Sequence, residues 1–158
     1  MPDIVSLRNI GAYLTVRSTA LQATAVAGGT GNNTTSTGFT IDREGFGSGS
    51  LPDSALFAIM FQATLASGAT LSQAFDVQHA PDAATWTDYS TTAETVVGTG
   101  PSGGGAVHGQ TVLAVNLRGA ARYIRLNSKP VHSATGTDTS ISFAVAVLGG
   151  FDRLAAPI

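Results

Sequence analysis

Apolar and polar residues alternate with a period of two in two neighbouring segments near the middle of the chain, and this is the period of a β-strand. Residues 54–65 have one face with Phe57, Ile59, Phe61 and Leu65 and a second, only partly polar face with Leu56, Met60, Gln62 and Thr64. In residues 71–80, Phe75 and Val77 point one way, whereas Asp76 and Gln78 point the other. This alternation predicts an antiparallel sheet with one face on the core.

Three later segments alternate in the same way and predict half-buried strands. The positions on one side of these segments are Thr111, Leu113, Val115 and Leu117; Ile124 and Leu126; and Ile141, Phe143, Val145 and Val147. Shorter β-prone segments occupy residues 12–18, 20–27, 39–41 and 93–97. No segment repeats apolar residues at the helical spacing i, i+3, i+4 and i+7, so the sequence predicts an all-β protein.

Glycine-rich segments separate the predicted strands. Residues 28–38, 45–49 and 98–109 are predicted to be loops, and a turn at Pro81 and Asp82 leads to a short strand that carries Trp86, the only tryptophan. About eight strands broken by such turns fit a single-domain jelly roll, which is a two-sheet antiparallel β-sandwich. We divide the chain into an N-terminal arm (1–10), a jelly-roll domain (11–150) and a C-terminal tail (151–158).

The composition narrows the classes of partner. Charged residues make up 11% of the 158 residues and hydrophobic residues 43%, so the surface is built largely from Thr, Ser, Gly and Ala, as suits a tightly packed assembly. The net charge is −2 with a single lysine, which argues against nucleic acid as a partner. No apolar stretch reaches the roughly 18 residues of a membrane span, and the N-terminus does not resemble a signal peptide. We therefore expect no membrane partner, synthesis in the cytosol and a chain complete as written.

Candidate chemical motifs lack the context that their chemistry needs. Residues 98–103 spell GxGxxG and residues 100–104 spell GxSxG, but neither pattern is followed by a predicted helix. The three histidines share no metal-ligand spacing, and the aspartates near the Pro81 turn match no calcium loop. We predict no metal site, no cofactor and no enzymatic activity. Trp86 and Tyr89 flank the turn and are candidates either for a sugar-binding platform or for closing the core.

Two separated motifs resemble a known family. The segment VQHAPDAATWTDY resembles a hairpin motif, and the segment AARYIRL resembles a strand motif. The two motifs occur together in the jelly-roll domains of discoidin-like carbohydrate-binding modules and of tailed-phage virion proteins. The segments ATLASGATLSQAFDVQHAPD and GTDTSISFAVAVLGGFDRLAAP are similar to small phage proteins of the head or tail, including capsid decoration (cement) proteins. The likeness covers roughly residues 54–157. Ala83 and Ala84 stand where the sugar-binding relatives have Asp-Gly.

The resemblance implies a phage virion structural protein, most simply a decoration protein on the capsid exterior, made in the cytoplasm of the host bacterium. Its implied partners are the major capsid protein and further copies of itself in a homotrimer. We expect contacts from the arm, from the loop 28–38 and from the tail, because apolar residues in short segments usually find a partner surface. These candidate residues are Ile4, Val5, Leu7, Asn32, Asn33, Phe151, Leu154 and Ile158. The alternative is a carbohydrate-binding or host-recognition module of a tail fibre, which would use Trp86, Tyr89 and the loop 98–109.

Overall fold

The computed structural model describes residues 14–19, 23–45 and 51–149. These residues form two antiparallel sheets packed as a sandwich and contain no helix, which confirms the predicted all-β fold. The described part has eleven strands, more than the roughly eight expected, because the N-terminal third adds four strands of two to four residues.

The first sheet, sheet A, contains five strands. Two long central strands pair with each other, and each of the other strands pairs with one of these two. These strands are β1 (Thr15–Ser18), β2 (Ala23–Val26), β5 (Ser54–Leu65), β9 (Gly105–Asn116) and β11 (Thr139–Gly149). The strand order is β1-β11-β5-β9, with β2 pairing a separate stretch of β11 on the same side as β1. The β5–β11 and β5–β9 ladders run without a register shift along their whole length, so side chains on one face lie directly opposite one another.

The second sheet, sheet B, contains six strands and has less regular edges. Its strands are β3 (Ser36–Thr37), β4 (Ile41–Asp42), β6 (Thr70–Ala80), β7 (Thr87–Thr91), β8 (Thr95–Thr99) and β10 (Tyr123–His132). The central pair is β6 and β10; β3 and β4 flank β10, while β7 and β8 flank β6. Register shifts interrupt the pairing of β6 with both β7 and β8.

Alternating side chains of the two sheets meet in the core as the sequence predicts for β5 and β6. Phe57 and Ile59 of β5 and Val77 of β6 have no solvent exposure, and Phe75 is buried beside them. The predicted turn at Pro81 is also present, since one Asp82 carboxylate oxygen accepts hydrogen bonds from the backbone N–H groups of Ala84 and Thr85. Such a side-chain cap is a common means of stabilising a tight turn.

The prediction that residues 98–109 form one loop is wrong. Residues 95–99 and 105–116 are strands, and only residues 100–104 connect them. Two of the glycines that suggested a loop face the ring of Phe61: a Cβ on Gly98 would lie 3.2 Å from Phe61 Cε2, and one on Gly109 would lie 2.8 Å from Phe61 Cζ. A side chain at residue 109 would have to displace the aromatic ring, and one at residue 98 would contact it tightly, which explains glycine within these two strands.

The alternation predicted for residues 140–147 is confirmed, but its small residues face the core. Ser140, Ser142, Ala144 and Ala146 point inward, whereas the larger members of the strand point away from the core; these are Ile141, Phe143, Val145 and Val147. Because the inner face is occupied mainly by Phe57, Phe61 and Phe75 from other strands, small inward residues leave space for those rings.

A buried arginine closes one end of the sandwich. Arg43 is 2% exposed, and its guanidinium donates hydrogen bonds to four backbone carbonyl groups: those of Pro52 at 2.7 Å, Leu117 and Ala121 at 3.0 Å each, and Ala120. Burial lowers the pKa of Arg43 from its usual value. One side chain thus connects the turn after β4 with the segments before β5 and after β9.

Candidate functional site

The outer surface of sheet A is apolar across several strands. We name as the apolar face the outward side chains of β1, β11, β5 and β9, namely Val16, Val147, Val145, Phe143, Ile141, Leu56, Ala58, Met60, Val112 and Ala114. The ladder places Phe143 opposite Met60 and Val147 opposite Leu56. Leu56 in turn lies opposite Ala114, so the apolar side chains form continuous rows across the sheet.

Several residues of the apolar face are strongly exposed in the single chain. The exposed fractions are 59% for Val16, 52% for Val112, 49% for Phe143 and 40% for Leu56. Scattered exposed apolar residues are normal, but contiguous patches of several hundred Å² on a soluble domain usually mark an interaction site. The rows of the apolar face are contiguous, so this surface is a candidate for docking against another molecule.

A broad depression of about 770 Å³ deepens one end of the apolar face. Leu14, Leu56, Ala114 and Val147 contribute apolar walls to it. Arg118 and Asp53 contribute its charged rim and form an ion pair at 3.1 Å. Apolar walls with a polar rim are the usual anatomy of a protein–protein contact surface.

The sequence contains a signal for this surface that the strand pattern alone does not reveal. The three long strands of sheet A, β5, β9 and β11, contain no Asp, Glu, Lys or Arg on either face. A strand with one solvated face usually alternates apolar with strongly polar residues. The absence of charge from both faces of three adjacent strands therefore indicates that the outer face also meets an apolar surface.

The outer surface of sheet B has the opposite chemistry, with a chain of polar contacts that starts at Trp86. The Arg125 guanidinium lies over the Trp86 ring, 4.1 Å from its centroid, and donates to Gln78 Oε1 at 2.7 and 2.9 Å. Gln78 Nε2 donates to Asp88 Oδ1 at 2.7 Å. The contacts fix Gln78 between a cation and a carboxylate.

A second depression, of about 230 Å³, lies beside this chain of contacts and is lined by Asp76, Asp88, Asn127 and Lys129. Asn127 Nδ2 donates to Asp76 Oδ2 at 3.2 Å. Burial raises the pKa of the Asp76 carboxyl above its usual value, and the neighbouring Asp88 carboxyl contributes to the rise. Carboxylate, amide and ammonium groups together can bind a ligand that presents both hydrogen-bond donors and acceptors.

The two aromatic residues predicted as a sugar platform contact different surfaces. Trp86 belongs to the outer side of sheet B through its contact with Arg125. Tyr89 packs against the core, with its ring 5.0 Å from that of His79, and its hydroxyl donates to the Asn116 carbonyl oxygen at 2.8 Å. Tyr89 thus connects sheet B with the end of β9, and a sugar site at Trp86 would have to draw its other contacts from the polar side chains near it.

The predicted contact residues of the loop 28–38 hold that loop against β10. Asn32 Oδ1 accepts from the backbone N–H of His132 at 2.8 Å, and the Asn33 N–H donates to the Pro130 carbonyl oxygen at 2.8 Å. Asn33 adopts a positive φ of 54°, which asparagine tolerates better than most residues. The remaining predicted contact residues lie outside the described part of the chain: Ile4, Val5, Leu7, Phe151, Leu154 and Ile158.

Other types of site have no support within the described residues. Among residues 14–19, 23–45 and 51–149, no three His, Cys, Asp or Glu side chains are grouped so that they could hold a metal ion. The same residues include no helix of the length and apolarity that a membrane crossing requires. The GxGxxG segment is followed by strand β9, so no helix N-terminus is present there to bind a phosphate.

Comparison with known proteins gives no family for the chain. No family model matches it. No curated protein matches it either.

Solved structures resemble the chain only distantly, with TM-scores below 0.5. They include PorU from Porphyromonas gingivalis (11% identity, TM-score 0.45, covering 91% of this chain and 13% of PorU), infectious bursal disease virus strain Gx (10%, 0.44, 87% and 32%) and tailspike protein 4 of bacteriophage CBA120 (13%, 0.42, 90% and 20%). The chain therefore spans a third or less of each of these proteins. At this distance the likeness carries no argument about function.

Proposed function

We propose that this chain is a phage virion structural protein, a decoration protein that binds the outer surface of a capsid and clamps neighbouring major capsid subunits. The apolar face is the observation that carries the proposal. It offers contiguous, exposed apolar side chains without charge on several adjacent strands, and a surface of this kind usually marks an interaction site. The phage context comes from the resemblance of the hairpin and strand motifs to tailed-phage jelly rolls.

A clamp of this kind needs no chemistry. A protein that binds only the assembled lattice stabilises it by RT ln(1 + [L]/Kd), where [L] is the free concentration of the clamp. Burying side chains such as Phe143 contributes roughly 25 cal/mol per Å² of apolar surface removed from water. The depression around Leu56 and Val147 would accept an apolar side chain of the lattice and fix the position of the contact.

Binding to virions tests the proposal. We expect the protein to copurify with virions at a copy number comparable to that of the major capsid protein, and to rebind to capsids from which it has been removed. Phe143→Lys should weaken rebinding by at least tenfold, because the interface would bury an unpaired charge. Thr87→Lys on the exposed strand β7 of sheet B is the matched control and should rebind normally. Normal rebinding of Phe143→Lys would refute docking through the apolar face.

The predicted arm, tail and homotrimer remain predictions of the sequence. Deletion of residues 1–10 should abolish capsid binding if the arm makes the contact. Retained binding by a folded truncation would instead assign the contact to other parts of the chain, including the apolar face. Light scattering of the purified protein gives its native mass and tests the trimer.

A second candidate function, carbohydrate binding, is favoured by the polar surface of sheet B. The Trp86 ring is connected through Arg125, Gln78 and Asp88 to the depression that Asp88 lines, and sugars bind to combinations of an aromatic ring and hydrogen-bonding groups. A glycan array followed by titration would test this function. Specific binding that Trp86→Ala removes without unfolding the domain would support it, whereas the absence of any glycan ligand would leave only docking.

A further inference from the structure

Among the strands that the structure describes, β9 forms a long unpaired edge of sheet A. It pairs with β5 on one side only, through an unbroken register from Ser54 opposite Asn116 to Leu65 opposite Gly105. In an antiparallel strand of this length, about six N–H and about six C=O groups project away from the paired side. Within the described part of the chain, no backbone group of residues 105–115 forms a hydrogen bond outside the β5 ladder.

The other sheet edges carry features that prevent pairing with another chain, and β9 does not. Strands β3 and β4 have two residues each, β1 and β2 have four each, and the pairings of β7 and β8 with β6 are interrupted by register shifts. Short edge strands, bulges, prolines and charged residues are the usual protections against edge-to-edge association. Strand β9 has twelve residues, an unbroken register, no proline and no Asp, Glu, Lys or Arg.

The inner side of β9 is also incompletely covered. Its inward residues Val107, Thr111 and Leu113 are only half-buried, whereas the inward side chains Phe57 and Ile59 of the adjacent strand are fully buried. The sandwich therefore opens toward β9. A strand placed beyond this edge would supply the missing hydrogen bonds and cover these side chains as well.

We propose that β9 pairs antiparallel with β9 of a second copy of this chain, so that sheet A continues across a two-fold axis. An isologous contact of this kind sets the strand against itself, so a charge near the two-fold axis would face a like charge. Only His108 on β9 can carry a charge, so no strong repulsion opposes the pairing. The strand extends for roughly 40 Å, and the apolar faces of the two copies join at the contact into one larger surface.

The chain's own termini are less suited to cover this edge. The described chain enters sheet A at β1 and leaves it at the end of β11, where Thr15 lies opposite Leu148. Strands β11 and β5 separate that edge from β9. A segment from either terminus would have to pass strands of sheet A before reaching β9.

Native mass, measured by size-exclusion chromatography with light scattering, tests the pairing. We expect twice the 16.0 kDa of one chain. The double variant Gln110→Lys, Val112→Lys places four positive charges near the two-fold axis, so its native mass should fall to that of one chain while its circular dichroism is retained. The double variant Thr64→Lys, Thr139→Lys adds the same charge at exposed positions of β5 and β11 and should keep the mass of two chains.

Hydrogen exchange of the β9 amides gives an independent reading. Every second amide of the strand points to the free edge, and these amides should exchange slowly at high protein concentration and faster on dilution. A single-chain mass with fast exchange at these amides would overturn the proposal, as would a single-chain mass with slow exchange, which would mean that part of the same chain covers the edge. A native mass of three chains would overturn the two-fold pairing and support the trimer expected from the sequence.

This pairing does not depend on capsid binding, and the two proposals fail in different ways. Phe143→Lys lies on β11, with β5 between it and β9, and should leave the native mass unchanged while it weakens capsid binding. Loss of capsid binding with two chains retained would therefore support both proposals. If Phe143→Lys also became a single chain, the self-contact would involve the centre of the apolar face, and the assignment to the β9 edge would be wrong.

Discussion

Phe61 of β5 and Gly109 of β9 lie directly opposite each other in the ladder, and the Phe61 ring occupies the place of a side chain on Gly109. A Cβ at residue 109 would meet Phe61 Cζ at 2.8 Å and Cε1 at 2.9 Å. No pair of non-bonded carbon atoms packs comfortably at such distances, so either the ring or the strand would have to move.

We predict that Gly109→Ala lowers the free energy of unfolding by about 1–3 kcal/mol through overpacking. Gly136→Ala is the matched control, because no atom lies within 4 Å of its Cβ position and the backbone there has no positive φ. Urea denaturation gives both values. In a Phe61→Leu background the cost of Gly109→Ala should shrink; an unchanged cost would mean that the ring is not its cause.

The Arg43 contacts predict that one substitution will have a large effect on stability, although arginine is usually a surface residue. Arg43→Met should cost about 3 kcal/mol of stability, since it leaves several buried carbonyl oxygens without a donor. Arg118→Met removes an ion pair whose arginine side chain is 77% exposed and should change stability by less than about 0.5 kcal/mol. Thermal unfolding of the two variants under identical conditions makes the comparison. Equal effects would show that the buried contacts contribute little.

Gln73 offers a stabilising change. It is fully buried on β6, and within the described residues neither its Oε1 nor its Nε2 has a hydrogen-bond partner. Methionine has a similar shape and no amide to desolvate, so Gln73→Met should raise the free energy of unfolding by about 1–2 kcal/mol. A loss of stability in chemical denaturation would indicate that the amide is satisfied, for instance by bound water.

His132 predicts how stability changes with pH. Burial lowers the pKa of its imidazole, with Asp138 partly opposing the effect, and His132 Nε2 lies 3.0 Å from Ser140 Oγ. As the pH falls below about 6.5, the unfolded chain binds a proton that the folded chain does not, so stability is lost on acidification. The unfolding free energy of the wild type minus that of His132→Gln should therefore decrease as the pH is lowered from 7.5 to 5.5. Parallel curves would contradict the prediction.

The sequence predicted the orientation of those strands in which one side is apolar and the other is charged or strongly polar. The alternation around Phe75 and Asp76 correctly assigns the core side of β6, because apolar and charged residues differ greatly in the cost of burial. On β11 both sides are uncharged, and the choice between Ser142 and Phe143 for the core depends on the space that other strands leave. A pattern along one strand contains no information about that space.

The surroundings of individual residues were also not predictable from the local sequence. Gly109 suggests a loop when considered alone, but it is a strand residue, and the ring of Phe61, 48 positions away in the chain, occupies the space of its missing side chain. Trp86 and Tyr89 are three residues apart but contact different surfaces. Trp86 precedes β7 and packs against Arg125, whereas Tyr89 lies at the register shift of the β6–β7 pairing and packs against the core. The apolar face, by contrast, could have been found from the sequence by searching for adjacent long strands without any charged residue.

The lack of charge on the apolar face also determines how docking should respond to temperature. Removal of apolar surface from water is driven by entropy near 25 °C and gives a negative heat-capacity change, so the association weakens on cooling. An interface built from Phe143, Leu56 and their neighbours should consequently release its partner in the cold and hold it more firmly on warming. For the capsid partner that we propose, refrigerated storage would favour release of the protein, and gentle warming would favour its return to the particle.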